Sequence, residues 1–233
     1  MPKCIKIILS VYFGLFMTCV AASPNSFAEA KKIARAVFSE HRATLYCGCH
    51  YNALNEIDLA SCNMQAAGFR KRAHHVEWEH MMPAENFGRQ FTCWRERLCQ
   101  KHGKPYKGRA CCEKIDPTFR HAEAELYNLW PAVGLVNQAR SNYRFSPLET
   151  TIGFYGCDIE IDATLRKVEP PDRAKGIVAR ANLFMSDKYQ VQLSEAQRKL
   201  FEIWNTQFPP NAWEKNWASK IASIEGYSNP YIH

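Results

Sequence analysis

The sequence lacks the features that mark fibrous, disordered or membrane-spanning proteins. No segment repeats at a fixed period, which excludes solenoid, collagen and coiled-coil architectures. Hydrophobic residues make up 46% of the 233 residues and charged residues 23%, so the chain does not have the composition of a disordered protein. After the N-terminal segment no stretch is apolar enough to span a membrane, and no shift in composition marks a linker. The chain therefore predicts a single globular domain with a full core.

The first 22 residues have the layout of a secretory signal peptide. Lys3 and Lys6 precede an apolar run over residues 7–20, and Ala21-Ala22-Ser23 offers small residues for cleavage. An uncleaved N-terminal anchor is the alternative. We therefore expect residues 1–22 to be a signal peptide and residues 23–233 the mature domain, in the periplasm or secreted and no longer attached to the membrane. Cleavage removes two lysines and no acid, which lowers the formal charge from +7 to +5.

Cysteine usage agrees with export. An even number of cysteines in an exported chain predicts up to four disulfides, with connectivity open. A zinc site fits poorly because the close pairs, Cys47-Gly48-Cys49 and Cys111-Cys112, do not have C-x₂-C spacing. Neighbouring cysteines seldom bridge each other, so we expect Cys93 or Cys99 to pair with Cys111 or Cys112. The cysteines that remain after cleavage are Cys47, Cys49, Cys62, Cys93, Cys99, Cys111, Cys112 and Cys157.

Local patterns predict an α+β fold with several helices outside a small sheet. Alternation of apolar and acidic residues predicts a strand over residues 76–79. Three glycine and proline breaks predict a loop over the basic segment 89–116, and the cysteine-rich segment 45–72 is also expected to be loop-rich. Capping and apolar spacing predict helices after Ser26, across residues 119–129 ending before Pro131, after Pro170-Pro171, and from Ser194 through Trp204.

The densest group of reactive side chains runs from His74 to His80. Glu77 and Glu79 are two residues apart on the predicted strand and therefore share a face. The zinc-protease motif H-E-x-x-H is absent, and its inverse would need histidine at position 76, which is valine. A hard cation such as Mg²⁺ suits Glu79 together with an asparagine amide oxygen.

His80 would then be free to act as a general base with a pKa near neutrality. A cation beside a histidine in a basic chain favours phosphodiester hydrolysis. A surface cluster of histidine and glutamate without catalytic function is the alternative.

Basic side chains are spread along the chain and suggest a polyanionic substrate. Phosphate contacts of this kind position a nucleic acid without reading its bases, so binding should weaken steeply with salt. No zinc finger, RNP signature or recognition-helix pattern indicates sequence-specific readout. For each residue a solvated basic surface is the alternative. The candidates are Lys71, Arg72, Arg95, Arg97, Lys104, Arg109, Arg166, Lys167, Arg173, Lys175 and Arg180.

Three ordered blocks resemble the bacterial endonuclease I family of periplasmic or secreted nucleases. The first is Glu77-Trp78-Glu79-His80-Met81-Met82-Pro83-Ala84 followed by Asn86-Phe87-Gly88, the second covers residues 123–137, and the third covers residues 170–176. Together with the Cys-Gly-Cys motif they extend over nearly all of the mature chain.

The resemblance implies a single mixed domain with a ββα-metal (His-Me finger) core. It implies that Glu79 and Asn137 bind the metal, Mg²⁺ with Ca²⁺ or Mn²⁺ as substitutes, and that His80 activates water. Arg109 would hold the scissile phosphate, and Glu123 matches a further active-site acid with a supporting role. The expected enzyme is a monomeric, non-specific endonuclease acting on DNA, with RNA left open, and releasing 5′-phosphates.

Two other functions remain open at this point. A disulfide-stapled module that binds nucleic acid without cleaving it would share the basic surface, and a hydrolase of other phosphate esters would share the metal and the histidine. The enzyme hypothesis also predicts that activity falls as the pH drops below the pKa of His80, because a base must be neutral to accept a proton.

Overall fold

A computed structural model of the chain describes residues 23–149 and 152–233. The expected signal peptide, residues 1–22, lies outside these residues. The helices of the described chain are α1 Phe27–Val37, α2 Ala84–Gly88, α3 Thr92–Arg95, α4 Arg109–Ile115, α5 Pro117–Ala124, α6 Gly134–Arg140, α7 Asp172–Tyr189, α8 Glu195–Gln207 and α9 Ala212–Glu225. The strands are β1 Val76–His80, β2 Cys99–Lys101, β3 Lys104–Tyr106, β4 Leu129–Val133, β5 Arg144–Phe145, β6 Glu160–Asp162 and β7 Lys167–Glu169.

The two longest strands and one helix form the central unit of the fold. β1 pairs antiparallel with β4 in a register that places Val76 opposite Val133 and His80 opposite Leu129. α6 begins directly after β4 and packs on both strands. This strand–strand–helix arrangement is consistent with the ββα core that the resemblance implied. The fold class, a single α+β domain, is confirmed because all the buried hydrophobic residues belong to one cluster.

The predicted helix over residues 119–129 is wrong in its second half. α5 ends at Ala124, a 3₁₀ turn follows over Leu126–Asn128, and β4 then includes Pro131. The Pro131 carbonyl accepts a hydrogen bond from the Leu45 amide. Because the N–H and C=O of a strand residue point to the same side, the edge of Pro131 that lacks an N–H faces away from β1, and the ladder loses no bond.

The basic segment 89–116 is not the loop that its glycine and proline breaks predicted. It contains α3, a β2–β3 hairpin and α4. His102 and Gly103 both have positive φ, 49° and 73°, which is the conformation that a two-residue hairpin turn requires. Gly108 has φ 90° immediately before α4. The breaks therefore mark turns between short elements.

All eight cysteines in the described residues form disulfides. The bonds are Cys47–Cys157, Cys49–Cys62, Cys93–Cys112 and Cys99–Cys111. The last two confirm the expected pairing between the ends of the basic segment, and the zinc alternative is wrong. Because two nested disulfides join α4 to the preceding hairpin and to α3, they hold the start of α4 in place.

The N-terminal and C-terminal helices agree with their capping signals. Ser26 caps α1 through the Glu29 amide, and Ser194 caps α8 through the Gln197 amide. The segment that precedes β1 is loop-rich as expected, with isolated bridges and 3₁₀ turns. A further helix, α9, follows α8 and brings Trp217 against Trp130 of β4, with ring centroids 4.7 Å apart. In the described part of the chain no helix is long and apolar enough to cross a membrane.

Candidate active site

One cleft of about 510 Å³ lies where β1, α6, α4 and α1 meet. Four of the five predicted catalytic and metal-binding residues line this cleft together, namely Glu79, His80, Arg109 and Asn137. They come from three separate elements, so only the folded chain assembles them. Glu123 does not line the cleft but lies directly behind it, with 1% of its surface exposed.

His80 ends β1 and is packed among aromatic rings. Its ring centroid is 4.8 Å from that of Phe27 and 6.0 Å from that of Phe87. Nε2 lies 2.8 Å from the backbone carbonyl oxygen of Glu123. A carbonyl can only accept, so we assign the hydrogen to Nε2, and Nδ1 keeps the lone pair that a base needs.

The acidity of His80 differs from the expectation. Burial, followed by the nearby Arg109 guanidinium, lowers the pKa of His80 to about 3. The sequence predicted a pKa near neutrality because it could not show that His80 is buried beside a cation. The imidazole is therefore neutral throughout pH 5–8, and loss of activity through its protonation belongs at lower pH.

Glu79 is buried, and one of its two carboxylate oxygens already has partners. Oε1 lies 3.1 Å from Arg140 Nη1 and 3.4 Å from the Tyr46 hydroxyl. In residues 23–149 and 152–233 no donor makes a hydrogen bond to Oε2. Burial raises the pKa of Glu79 to about 7, and Arg140 opposes that rise. A cation bound to Oε2 would further favour the ionised form.

Asn137 lies in the middle of α6, and its side-chain amide is hydrogen-bonded through the nitrogen. Its Nδ2 donates to Glu77 Oε2 at 3.0 Å, so Oδ1 is the atom left for a ligand. A carboxylate and an amide oxygen are ligands that suit Mg²⁺, Ca²⁺ or Mn²⁺, with water and phosphate oxygens completing the shell. No group of three histidine, cysteine or acidic side chains able to hold a metal occurs among the described residues, which argues against zinc. The residues present therefore fit a hard cation.

Arg109, at the start of α4, is hydrogen-bonded through one nitrogen of its guanidinium group. Its Nε donates to Glu123 Oε1 and, at 3.2 Å, to Glu113 Oε1. Its guanidinium carbon lies 5.0 Å from the centre of the Phe27 ring. Because only Nε is used within the described chain, both Nη groups are available for a phosphate. Burial raises the pKa of Glu123 and the Arg109 charge lowers it.

Sequence reasoning missed the contribution of α1. Phe27, Lys31 and Arg35 are spaced four residues apart, lie on one side of α1, and line the cleft. Lys31 also lies over the Phe27 ring, with Nζ 4.5 Å from the centroid. The spacing of one aromatic and two cations after the capping box was the available signal.

Arg140 and Tyr46 were also missed. Arg140 has 1% exposure and donates to the carbonyls of His80 and Met81, which joins the end of β1 to the end of α6. Tyr46 contributes its hydroxyl to Glu79 and its backbone carbonyl to Arg173. A lone tyrosine or arginine carries no spacing that would reveal such contacts.

Few of the basic residues proposed for phosphate contact are at the cleft. Only Arg72 and Arg109 line it. Arg180 is wrong as a phosphate ligand because it is buried and paired with Glu214. Lys175 bonds Glu169 and Asp172, each at 2.8 Å, and is already neutralised. The remaining candidates, which do not line the cleft, are Lys71, Arg95, Arg97, Lys104, Arg166, Lys167 and Arg173.

Known proteins resemble the chain over almost its whole length. The family model described as Endonuclease I matches residues 25–233. An extracellular deoxyribonuclease of Aeromonas hydrophila is 39% identical over 213 residues, covering 89% of both chains. Endonuclease-1 of Buchnera aphidicola subsp. Acyrthosiphon pisum is 36% identical, covering 90% of this chain and 81% of the relative. A periplasmic deoxyribonuclease of Aeromonas hydrophila is 35% identical, covering 91% and 87%.

Proposed function

This chain belongs to the endonuclease I family and is an endonuclease, and from that premise we propose an exported, metal-dependent enzyme that hydrolyses DNA phosphodiester bonds with little sequence specificity. Relatives over the same length are named extracellular and periplasmic deoxyribonucleases. Four disulfides suit an oxidising compartment outside the cytoplasm. All the residues of the cleft come from one chain, so a monomer suffices.

The composition of this cleft carries the proposal. Within the described residues it contains a neutral imidazole with a free Nδ1, a carboxylate and an amide that each retain one oxygen, and a guanidinium with both Nη groups unused. A base, a cation site and a phosphate anchor are the parts that phosphodiester hydrolysis requires. A hydrolase of small phosphate esters would need no further cations along the cleft, whereas Lys31 and Arg35 extend it.

Each residue has a definite task in the proposed reaction. Nδ1 of His80 accepts a proton from the water that attacks phosphorus, and the Glu123 carbonyl keeps the ring in place. The Nη groups of Arg109 bind the non-bridging phosphate oxygens. Glu79 and Asn137 would hold the divalent cation, Mg²⁺ with Ca²⁺ or Mn²⁺ as alternatives, and a bound cation would offset negative charge that develops on the departing 3′-oxygen. The products then carry 5′-phosphates.

Substrate binding is proposed to be mainly electrostatic. The formal charge of the cleaved chain, +5, favours a polyanion, and the cations at the cleft contact phosphate rather than bases. Contacts to phosphates alone do not distinguish DNA from RNA, so RNA remains a candidate substrate. Affinity should fall steeply as the salt concentration rises.

Nicking of supercoiled plasmid tests the proposal directly. The wild-type chain should cleave with Mg²⁺ and not with EDTA, and His80→Ala should lose roughly 10²–10⁴-fold in rate. His121→Ala, at an exposed histidine outside the cleft, is the matched control and should cleave normally.

Four results would contradict specific parts of the proposal. DNA binding without cleavage would favour the non-catalytic module, and turnover of mononucleotide esters but not of polymer would favour the smaller-substrate hydrolase. Wild-type cleavage by folded, metal-binding His80→Ala would remove the general base. Ends that a ligase cannot join without phosphorylation would contradict 5′-phosphate products.

A further inference from the structure

We propose that Glu77 is a positioning residue that turns the Asn137 amide so that its oxygen, not its nitrogen, faces the cation. This inference rests on the proposed function, because it concerns the same metal site. Glu77 lies two residues before Glu79 on β1. The sequence around it does not distinguish it from a solvated surface glutamate, whereas its contacts in the folded chain do.

The Arg72–Glu77 ion pair determines which end of the amide faces Glu77. Arg72 donates to both carboxylate oxygens, with Nε 2.8 Å from Oε1 and Nη2 2.5 Å from Oε2. Both oxygens of a carboxylate bound by a guanidinium in this bidentate manner accept hydrogen bonds. The side-chain amide of Asn137, 3.0 Å from Oε2, must therefore present Nδ2 to Glu77. Oδ1 then points away from Glu77, as a free acceptor on a residue that lines the cleft.

The start of α6 is shaped to admit this carboxylate. A Cβ on Gly134 would lie 2.8 Å from Glu77 Oε1 and 2.8 Å from the Arg72 carbonyl oxygen. Only glycine leaves that space, because both positions are closer than Cβ contacts allow. The same residue begins the helix that carries Asn137, so the carboxylate, the amide and the helix start are fitted to one another.

Stability alone does not account for the arrangement. The Arg72 and Glu77 side chains are 43% and 32% exposed, and ion pairs with that much exposure contribute little to folding. Hydrogen bonds from outer residues to metal ligands, in contrast, fix the orientation of the ligand. Substitution of Glu77 should therefore leave the fold intact and change cation affinity.

Calorimetric titration with Mg²⁺, repeated with Mn²⁺, measures the effect without relying on cleavage. Glu77→Gln should bind the cation about 10- to 100-fold more weakly than wild type, the range typical for loss of an outer-shell partner. Glu56→Gln is the matched control. Glu56 accepts a hydrogen bond from Asn52 Nδ2 at 2.7 Å, the same kind of glutamate–asparagine contact, but it lies outside the cleft. It should bind with wild-type affinity. The thermal midpoint of each variant checks folding, and Arg72→Gln replaces Glu77→Gln if the latter does not fold.

A second background separates positioning from a general effect of charge. In Asn137→Asp the side chain has two equivalent oxygens and no nitrogen end to turn away. The weakening caused by Glu77→Gln should therefore disappear or reverse in that background. Equal weakening in both backgrounds would show that Glu77 acts through its charge and would overturn the inference.

Two further outcomes distinguish this inference from the proposed function. Wild-type cation affinity in Glu77→Gln, with a cleaving wild-type enzyme, overturns the positioning role alone. Failure of the wild-type chain to bind Mg²⁺ or Mn²⁺ overturns the cation site and the positioning role together.

Discussion

Two buried arginine–glutamate pairs in this molecule use the same chemistry for different ends. Arg180 and Glu214, in α7 and α9, are 2–3% exposed and form two bonds of 2.7 and 2.6 Å that occupy both carboxylate oxygens. Arg140 and Glu79, in α6 and β1, are 1–3% exposed and meet at a single 3.1 Å contact on Oε1. The first carboxylate is saturated, whereas the second keeps one oxygen without a donor in the described chain.

The difference shows how a buried carboxylate can be kept ready for a ligand. Arg140 directs its other bonds to the carbonyls of His80, Met81 and Ser141, so it cannot chelate Glu79. Its charge still offsets part of the cost of burying Glu79. A fully satisfied pair stabilises the fold, while a partly satisfied pair beside a cleft provides a cation ligand.

Breaking the saturated pair should have the largest effect on stability. Arg180→Met leaves the Glu214 carboxylate buried without its counter-charge, which should cost about 3–5 kcal/mol in the free energy of unfolding. Urea denaturation measures this loss, and cleavage per folded molecule should be unchanged. Replacing both partners with apolar residues should recover much of it. A small loss of stability for Arg180→Met would contradict the conclusion that this pair stabilises the fold.

Breaking the Arg140–Glu79 pair should have the opposite result, a large loss of cleavage and a smaller loss of stability. Glu79→Gln removes the charged oxygen from the cleft but fills the same space, so cleavage should fall by roughly 10²–10³-fold, the size typical for loss of a preorganised electrostatic contact. Arg140 keeps its three carbonyl partners, so the loss of stability should be smaller than for Arg180→Met. Plasmid nicking and urea denaturation of the same preparations make the comparison. Wild-type cleavage by this variant would remove Glu79 from the cation site.

A third buried carboxylate shows what happens with no arginine at all. Glu125 is 1% exposed and accepts from the hydroxyls of Tyr189 and Tyr227, at 2.9 and 2.8 Å, and from the Tyr127 amide. Burial and the neighbouring Glu225 charge raise the pKa of Glu125 from 4.5 to about 7, and the hydrogen bonds from the tyrosines oppose that rise. The folded state therefore holds a proton that the unfolded state has released.

The direction of the resulting pH dependence follows from linkage. Between pH 4.5 and about 7 the unfolded chain binds fewer protons than the folded chain, so the Glu125 contribution to stability falls as the pH rises, by up to a few kcal/mol. Below pH 4.5 the contribution is fully present. Urea denaturation across this range should show a shallower pH slope for Glu125→Gln than for wild type. An identical slope in both would contradict the assignment.

The smallest expected effect concerns cations that have no acidic partner. Lys31 and Arg35 line the cleft, and neither forms a salt bridge within the described chain. Lys31→Gln and Arg35→Gln should each weaken DNA binding several-fold and lower the slope of log affinity against log salt by about one. Lys32→Gln, at the exposed neighbour on α1, is the matched control. Equal salt slopes for all three variants would place the DNA elsewhere.

Much of the site was readable before any tertiary contact was known. The spacing of Glu77, Glu79 and His80 on an alternating strand indicated carboxylates on one face, and both acids contact α6 in the folded chain. Asn137 required the family resemblance, because no local pattern distinguishes an asparagine ligand on a helix, and only the resemblance singled out Arg109 among the basic candidates. The roles of these residues remain proposals, although the fold brings them to one cleft.

The errors share a cause in the environment of each residue. Arg180 has the appearance of a phosphate ligand in a basic block, but α9 covers it and supplies Glu214. The histidine pKa was wrong because Phe27 and Arg109 approach from distant segments. Residues 125–129 leave the predicted helix because β4, which begins at Leu129, gains its bonds from β1, and no helical periodicity can reveal that pairing.

The amino-acid sequence by itself determined the chemistry available to this protein: oxidised cysteines, an acid–histidine strand, capped helices and excess positive charge. These properties depend on residue type and on neighbours a few positions away. Tertiary structure alone decided which oxygen of Glu79 and Asn137 is left free, which nitrogen of His80 keeps its lone pair, and which cations face the cleft. The free oxygens and the lone pair depend on partners more than thirty residues away in the chain, because hydrogen bonding and burial act through space.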